Sequence, residues 1–377
     1  MINYCFVFFL ILSFCIGCKS WPEANNHKTE SLSNEGFGPD FLKIRGPIIE
    51  EIKKKINDSD LDQRIIYSKL SINSPLPGNS QYISNRFSTP QIFDHLNYMH
   101  GGIDFTPEFK QPNMTVVAPV NGLMFVLYGY PIIYDQESHA VIVLAHVKPY
   151  EQFLNTISNE FINVSRNQAI GTTDLAPPLT HVHLDIYDTD KNEVLNALLY
   201  FKIYQDQVKP QILNAYFRDH SGKRSAPKPH NNMDLIVVTY DEDNRIKYHF
   251  EVSSLSYRII NNNNEILFQL YPCNLEKALS TVLVREEGTT PTYNLMDLAA
   301  VKEQLEAYDV FESISIPEDI HFPYVLTNLK SDSSGDCQII DDKEGYIRFD
   351  TKEDIKVIIT VSDFTGNKTT REFNFSL

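Results

Sequence analysis

Residues 179–187 read LTHVHLDIY, which sets two histidines, an aspartate and a tyrosine on alternate positions of an apolar run. Alternate side chains of a strand share a face. His181, His183, Asp185 and Tyr187 therefore point one way, and Val182, Leu184 and Ile186 the other. The apolar side can anchor a core. The other side collects groups that bind metal ions or carry protons, unless the strand is half exposed and its imidazoles meet water or neighbouring carbonyls. A second group lies upstream in YMHGGIDF, where His100 and Asp104 stand four apart around Gly101 and Gly102. Glycines there permit the tight backbone geometry that turns both side chains toward one point. His100, Asp104 and one of the two later histidines would make a set of two imidazoles and one carboxylate. Three protein ligands leave a fourth tetrahedral position open, the arrangement of catalytic rather than structural zinc. Such a set leaves net positive charge on Zn2+, which acidifies water and polarises a carbonyl.

These groups need a scaffold, and the rest of the chain describes one. The 377 residues are 42% hydrophobic and 12% aromatic, enough for two globular domains. Abundant Tyr, Phe, Val and Ile in short alternating runs predict a mainly β protein. A short helix is expected over GPIIEEIKKKIND, with Pro47 in its first turn, Ile48, Ile52 and Ile56 on one side, and Glu51 facing Lys55. TVVAPVNGLMFVLYG holds Asn121-Gly122 between two apolar runs, which predicts a hairpin. HAVIVLAHV reads as a further strand, and VSRNQAIGTT as a strand leading to a loop. Beyond residue 202, DLIVVTYDEDNRIKYHFEV and DIKVIITVSDFTGNKTTREFNFSL predict strand pairs around polar turns, with one helix over YNLMDLAAVKEQLEAY between them. DTDKNE, from Asp188, lacks the central Gly and terminal Glu of a calcium loop and reads as a turn.

Taken in order, HGGID, VVAPVNGLMF, LAHV, QAIGTT and HVHLDIY resemble the motifs of lysostaphin/LytM-type zinc peptidases, over roughly residues 74–201. The resemblance implies a duplicated hybrid motif β domain and endopeptidase action on the peptide cross-links of peptidoglycan by metal-activated water. It makes His100, Asp104 and His183 the metal ligands and His146 and His181 the catalytic histidines. These two would share general-base assistance and oxyanion stabilisation. Asp185 falls where the family often carries Glu, and an orienting role is expected for it rather than ligation. A different reading is a non-catalytic relative that binds cell wall or regulates an amidase. His95, His139, His220, His230, His249 and His321 have no partner at ligand spacing and are read as uninvolved.

The leader, MINYCFVFFLILSFCIGCKS, has an apolar run too short to span a bilayer. Gly17-Cys18 resembles a lipobox, which implies cleavage before Cys18 and lipidation of its thiol, with several acyl chains anchoring the protein to a membrane. Lys19 after that cysteine favours the outer membrane or periplasm over the inner membrane. The expected organisation is a signal peptide over 1–17, a tether and short helix over 18–65, the metallopeptidase-like domain over 66–201, and a β-sandwich-like (Ig-like) accessory domain over 202–377 that offers a surface to an envelope protein partner. A formal charge of -16 argues against nucleic acid as a partner. Cys273 and Cys337 are the cysteines left after the leader, and they allow either a disulfide or two buried thiols.

Overall fold

A computed structural model describes residues 39–377 except 79–80, 87–89, 94–95, 108, 110, 155–159, 176, 178–179, 202–205, 220, 244–245, 281–294, 298–299, 302–303, 305–320, 335–336, 341–344, 351 and 377. Cys18 and its leader, the tether up to residue 38, and most of the helix expected over residues 293–308 lie outside the described residues. No described helix is long and apolar enough to cross a membrane.

The fold is mainly β and antiparallel. It opens with α1 (Pro39–Asp58), which begins earlier than expected, so Pro47 lies inside the helix and not in its first turn. Pro39 takes that first position instead, where a missing N–H costs nothing. Ile48, Ile52 and Ile56 are buried together, as their spacing requires.

Thirteen described strands follow before residue 200: β1 (Gln81–Asn85), β2 (Pro90–Phe93), β3 (Leu96–Met99), β4 (Ile103–Pro107), β5 (Thr115–Val117), β6 (Gly122–Leu127), β7 (Tyr130–Asp135), β8 (Val141–Ala145), β9 (Val147–Pro149), β10 (Ile162–Val164), β11 (Ala169–Thr173), β12 (Val182–Asp188) and β13 (Glu193–Leu195). The main sheet runs β1-β4-β12-β8-β7-β6-β10, with β13 also paired to β12, and a smaller sheet runs β5-β11-β9. Ile103 and Phe105 of β4, Ile142 and Leu144 of β8, and Val182, Leu184 and Ile186 of β12 enter one core. Each such side chain stabilises the fold by roughly 1.5–3 kcal/mol. The intervening residues of β4 and β12, among them Asp104, His183 and Asp185, are thereby committed to the opposite face.

The expected Asn121-Gly122 hairpin does not form. β5 and β6 belong to different sheets, and the segment between them is a crossing from one to the other. Gly122 is required there because a Cβ would stand 2.3 Å from the Tyr134 carbonyl oxygen. The tight turn in this region is Tyr128-Gly129, with φ of 50° and 85°, between the paired strands β6 and β7. Two successive positive φ values match the twist of a two-residue hairpin. The Asp188 segment is a turn, as expected, with the Asp188 carboxylate accepting from the Asp190 and Lys191 amides.

The second set of strands comprises β14 (Gln211–Asp219), β15 (Arg224–Ser225), β16 (Asn232–Asp243), β17 (Ile246–Phe250), β18 (Ser254–Asn261), β19 (Ile266–Asn274), β20 (Phe322–Val325), β21 (Leu329–Ser331), β22 (Cys337–Ile339), β23 (Ile347–Arg348), β24 (Ile355–Ser362) and β25 (Lys368–Phe375). They build a sheet centred on β16 and a sheet ordered β19-β18-β24-β25, and none of their pairings crosses to the first set among the described residues. The expected pairs β16/β17 and β24/β25 are present. Phe217 of β14 meets Phe375 of β25 edge to face, so the two sheets touch through aromatic side chains. Cys273 of β19 and Cys337 of β22 form a disulfide across 64 residues, which settles the choice that the sequence left open. Residues 45–377 make one compact unit.

Candidate metal centre

Antiparallel pairing sets His183 of β12 opposite Asp104 of β4 on one side and opposite Ala145 of β8 on the other. His181 lies immediately before β12, and His146 immediately after β8. His100 arrives from the loop between β3 and β4. The register thus brings all five residues singled out in the sequence to one end of the central strands. His100, Asp104, His181 and His183 are buried, so the half-exposed reading of this strand does not hold.

Three donor atoms converge. His100 Nε2 lies 3.2 Å from Asp104 Oδ1 and 2.9 Å from His183 Nδ1, and His183 Nδ1 lies 2.9 Å from the same carboxylate oxygen. The far side of each ring explains what these atoms present. His100 Nδ1 lies 3.0 Å from the carbonyl oxygen of Arg86, which only accepts, so that nitrogen carries the proton and donates it. His183 Nε2 lies 2.9 Å from Asp185 Oδ1, an acceptor again, and Tyr187 donates its hydroxyl to Asp185 Oδ2 at 2.8 Å. In their neutral forms both imidazoles therefore aim lone pairs at each other and at a carboxylate oxygen. A proton on His183 Nδ1, donated to Asp104, or a divalent cation in its place resolves that repulsion. His100, Asp104 and His183 form a group able to hold a metal ion, with Asp185 and Tyr187 orienting the His183 ring in the way outer partners orient ligating imidazoles.

The electrostatics agree. Burial opposes charge on Asp104, but the His100 and His181 imidazoles and hydrogen bonds from His100 and His183 outweigh it, holding the carboxyl well below the usual carboxylate range. Burial lowers the His183 pKa, yet the Asp185 and Asp104 carboxylates overcome this and push it up to about 9.

The two remaining histidines flank the donors without joining them. His181 Nε2 stands 3.9 Å from Asp104 Oδ2, the carboxylate oxygen turned away from the other imidazoles. The His146 ring lies 4.6 Å from the His181 ring at 62°. His146 has a φ of 59°, a left-handed conformation uncommon outside glycine. It marks the point where the chain leaves β8 in the main sheet for β9 in the small one, which splits the strand expected over HAVIVLAHV. Burial, then the neighbouring His181 and His183, push the His146 pKa well below its ordinary value. The ring is neutral at neutral pH and has a lone pair to accept a proton.

Gly102 is needed for a reason different from turning. Its Cα passes so close to β12 that a Cβ would lie 2.3 Å from the Leu184 carbonyl oxygen and 2.4 Å from Asp185 Oδ1. Neither atom can retreat from a buried central strand. Gly102→Ala is expected to lower stability by about 3 kcal/mol, read as a lower urea midpoint. An unchanged midpoint would show that the loop yields.

Outside this site, His139 bonds the Arg64 carbonyl through Nδ1 at 3.0 Å and stacks on Tyr134. His95 and His220, like the side chain of His249, lie outside the described residues. Arg86 was missed in the sequence, because a backbone carbonyl leaves no signature in residue type. No family model matches the chain, and no curated protein or solved structure matches it either.

Proposed function

We propose that the chain is a zinc-dependent endopeptidase that hydrolyses the peptide cross-links of peptidoglycan, held at the cell envelope by lipid on Cys18. The observation that carries the reading is the convergence of His100 Nε2, His183 Nδ1 and Asp104 Oδ1 within 3.2 Å, with the outer nitrogen of each ring already occupied. Ligands 2.0–2.1 Å from a tetrahedral zinc stand about 3.3 Å apart, so the triangle fits zinc after a small expansion. Nitrogen and carboxylate donors without thiolate, three in number, suit a hydrolytic rather than a structural site. The substrate class rests on the resemblance of the ordered motifs, and the accessory role of residues 202–377 on their strand pattern.

Zinc bound there would acidify water and polarise the scissile carbonyl. The chain supplies the rest. Asp185 and Tyr187 keep the His183 proton on Nε2, leaving Nδ1 for the ion. His146, neutral and beside His181, takes a proton from the attacking water. His181, next to the outer Asp104 oxygen, donates to the oxygen that gains charge as the carbonyl becomes tetrahedral. The proton removed from water must reach the leaving amine, and a histidine that accepts it can return it there.

Purified protein of residues 19–377 is expected to hold a single zinc and to release new amine and carboxyl termini from cross-linked sacculi, identified by mass spectrometry of the soluble muropeptides. Zinc-loaded, folded protein that binds sacculi from several sources and releases nothing would leave a binding or regulatory role in its place.

A further inference from the structure

Arg86 stands directly after β1 and is 1% exposed. Its carbonyl oxygen receives the Nδ1 proton of His100, the contact that leaves Nε2 free for a metal. Its guanidinium points the other way, into the second set of strands. Nη1 donates to Asp241 Oδ2 at 2.8 Å, Nη2 lies 4.0 Å from Asp206 Oδ2, and the guanidinium carbon stands 3.7 Å over the Phe250 ring. Asp241 and Phe250 are register partners in the β16/β17 hairpin. One residue therefore links a ligating imidazole at one end to a hairpin of the second region at the other.

The anchor is a stiff one. Asp206, Asp241 and Asp363 are all buried, with carboxylate oxygens within 4.8 Å of one another. Three such groups repel one another, and among the described residues Arg86 brings a guanidinium to two of them, Asp241 and Asp206. A guanidinium is planar, always charged and matched to carboxylates and aromatic faces at once, so its position is determined from several directions. Outer partners of ligating histidines typically alter metal affinity 10–100-fold when disturbed.

We propose that Arg86 is a positioning residue for the metal centre, through which the β16/β17 hairpin sets the affinity of a site to which it gives no ligand. The inference rests on His100, Asp104 and His183 being a metal site. It makes the second region part of the working centre and not a detachable accessory.

The test uses the full chain, with zinc affinity read by competition against a chromophoric chelator and the visible spectrum of the Co2+-loaded protein as a report on ligand geometry. Arg86→Met/Asp241→Asn removes the closest charge pair together; Asp206 then loses its guanidinium partner as well, so folding of this variant is checked by circular dichroism before the titration. It is expected to weaken zinc binding about tenfold or more and to shift the Co2+ bands. Asp241→Asn alone retains Arg86 and is expected to move both readouts in the same direction by less. If the double variant does not fold, this single variant decides. Affinity within twofold of the parent with an unshifted Co2+ spectrum in the folded variants overturns the proposal, even if thermal stability falls. His100→Ala, measured alongside, separates the two levels. If that variant keeps parental zinc affinity, the metal site itself is wrong. If it loses zinc while the Arg86 and Asp241 variants do not, only the positioning role fails.

Discussion

His183→Ala is expected to empty the protein of metal and to reduce cross-link hydrolysis to background, while the main sheet stays folded. Disturbing an outer partner of a ligating histidine already costs about 10–100-fold in affinity. Loss of one of three ligands should exceed ~10³-fold, because the two that remain cannot enclose a tetrahedral ion. The side chain also holds its neighbours in order: its Nε2 proton is the partner of Asp185, and its Nδ1 faces Asp104. Alanine leaves two buried carboxylates with less compensation, so a loss of stability accompanies the loss of metal, and circular dichroism must show the β signal retained. The pH dependence follows from the same contacts. With its pKa raised to about 9, the metal-free His183 ring is protonated at neutral pH, and a metal must displace that proton. Below about 9, each unit fall in pH therefore weakens metal binding about tenfold per proton displaced; above it, this competition ends. Elemental analysis and competition titrations between pH 6 and 9 check both parts. Stoichiometric zinc in the alanine variant would remove His183 from the ligand set.

The contrast between what residue types announced and what only the folded chain reveals is sharp at this site. His100, Asp104 and the His181/His183 pair are recognisable because a ligand must be one of a few side chains and because alternation sets both later histidines on one strand face; the choice of His183 over His181 comes only from the resemblance to the peptidase motifs. Val182, Leu184 and Ile186 are recognisable for the same reason, since alternation reports which face a strand buries. Partner choice between strands is not local: the β16/β17 and β24/β25 pairs form as expected, but one hairpin does not. Asn121-Gly122 has the composition of a hairpin turn, yet β5 pairs with β11 and β6 with β7, because apolar runs on either side of a turn say nothing about which sheet each joins. The disulfide stayed open for a like reason: 64 residues separate Cys273 and Cys337, and only the folded sheets bring their Cα atoms to 5.0 Å. Arg86 marks the limit. Its carbonyl accepts from His100 while its guanidinium reaches Asp241 and Asp206 in the second set of strands, and neither contact belongs to a motif.

The sharpest separation of catalysis from metal binding should come from His146. Its ring touches His181 but offers no atom to the donor triangle, so His146→Ala is expected to keep zinc affinity within a few fold of the parent while turnover falls by about 10²–10⁴, the range for a lost general acid or base. The backbone supplies an internal control that a simple loss of activity would lack. At φ 59° a residue with a Cβ pays roughly 1–2 kcal/mol that glycine does not. His146→Gly should therefore be more stable than His146→Ala by about that amount, and both should be equally inactive. Such a result identifies the conformation as one retained for the ring it aims at His181, with function and stability opposed at a single position. Paired zinc titrations, denaturant midpoints and initial rates on a defined cross-linked muropeptide measure the three quantities together. Turnover within tenfold of the parent in both variants would withdraw His146 from the proton-transfer role and leave His181 to carry it alone.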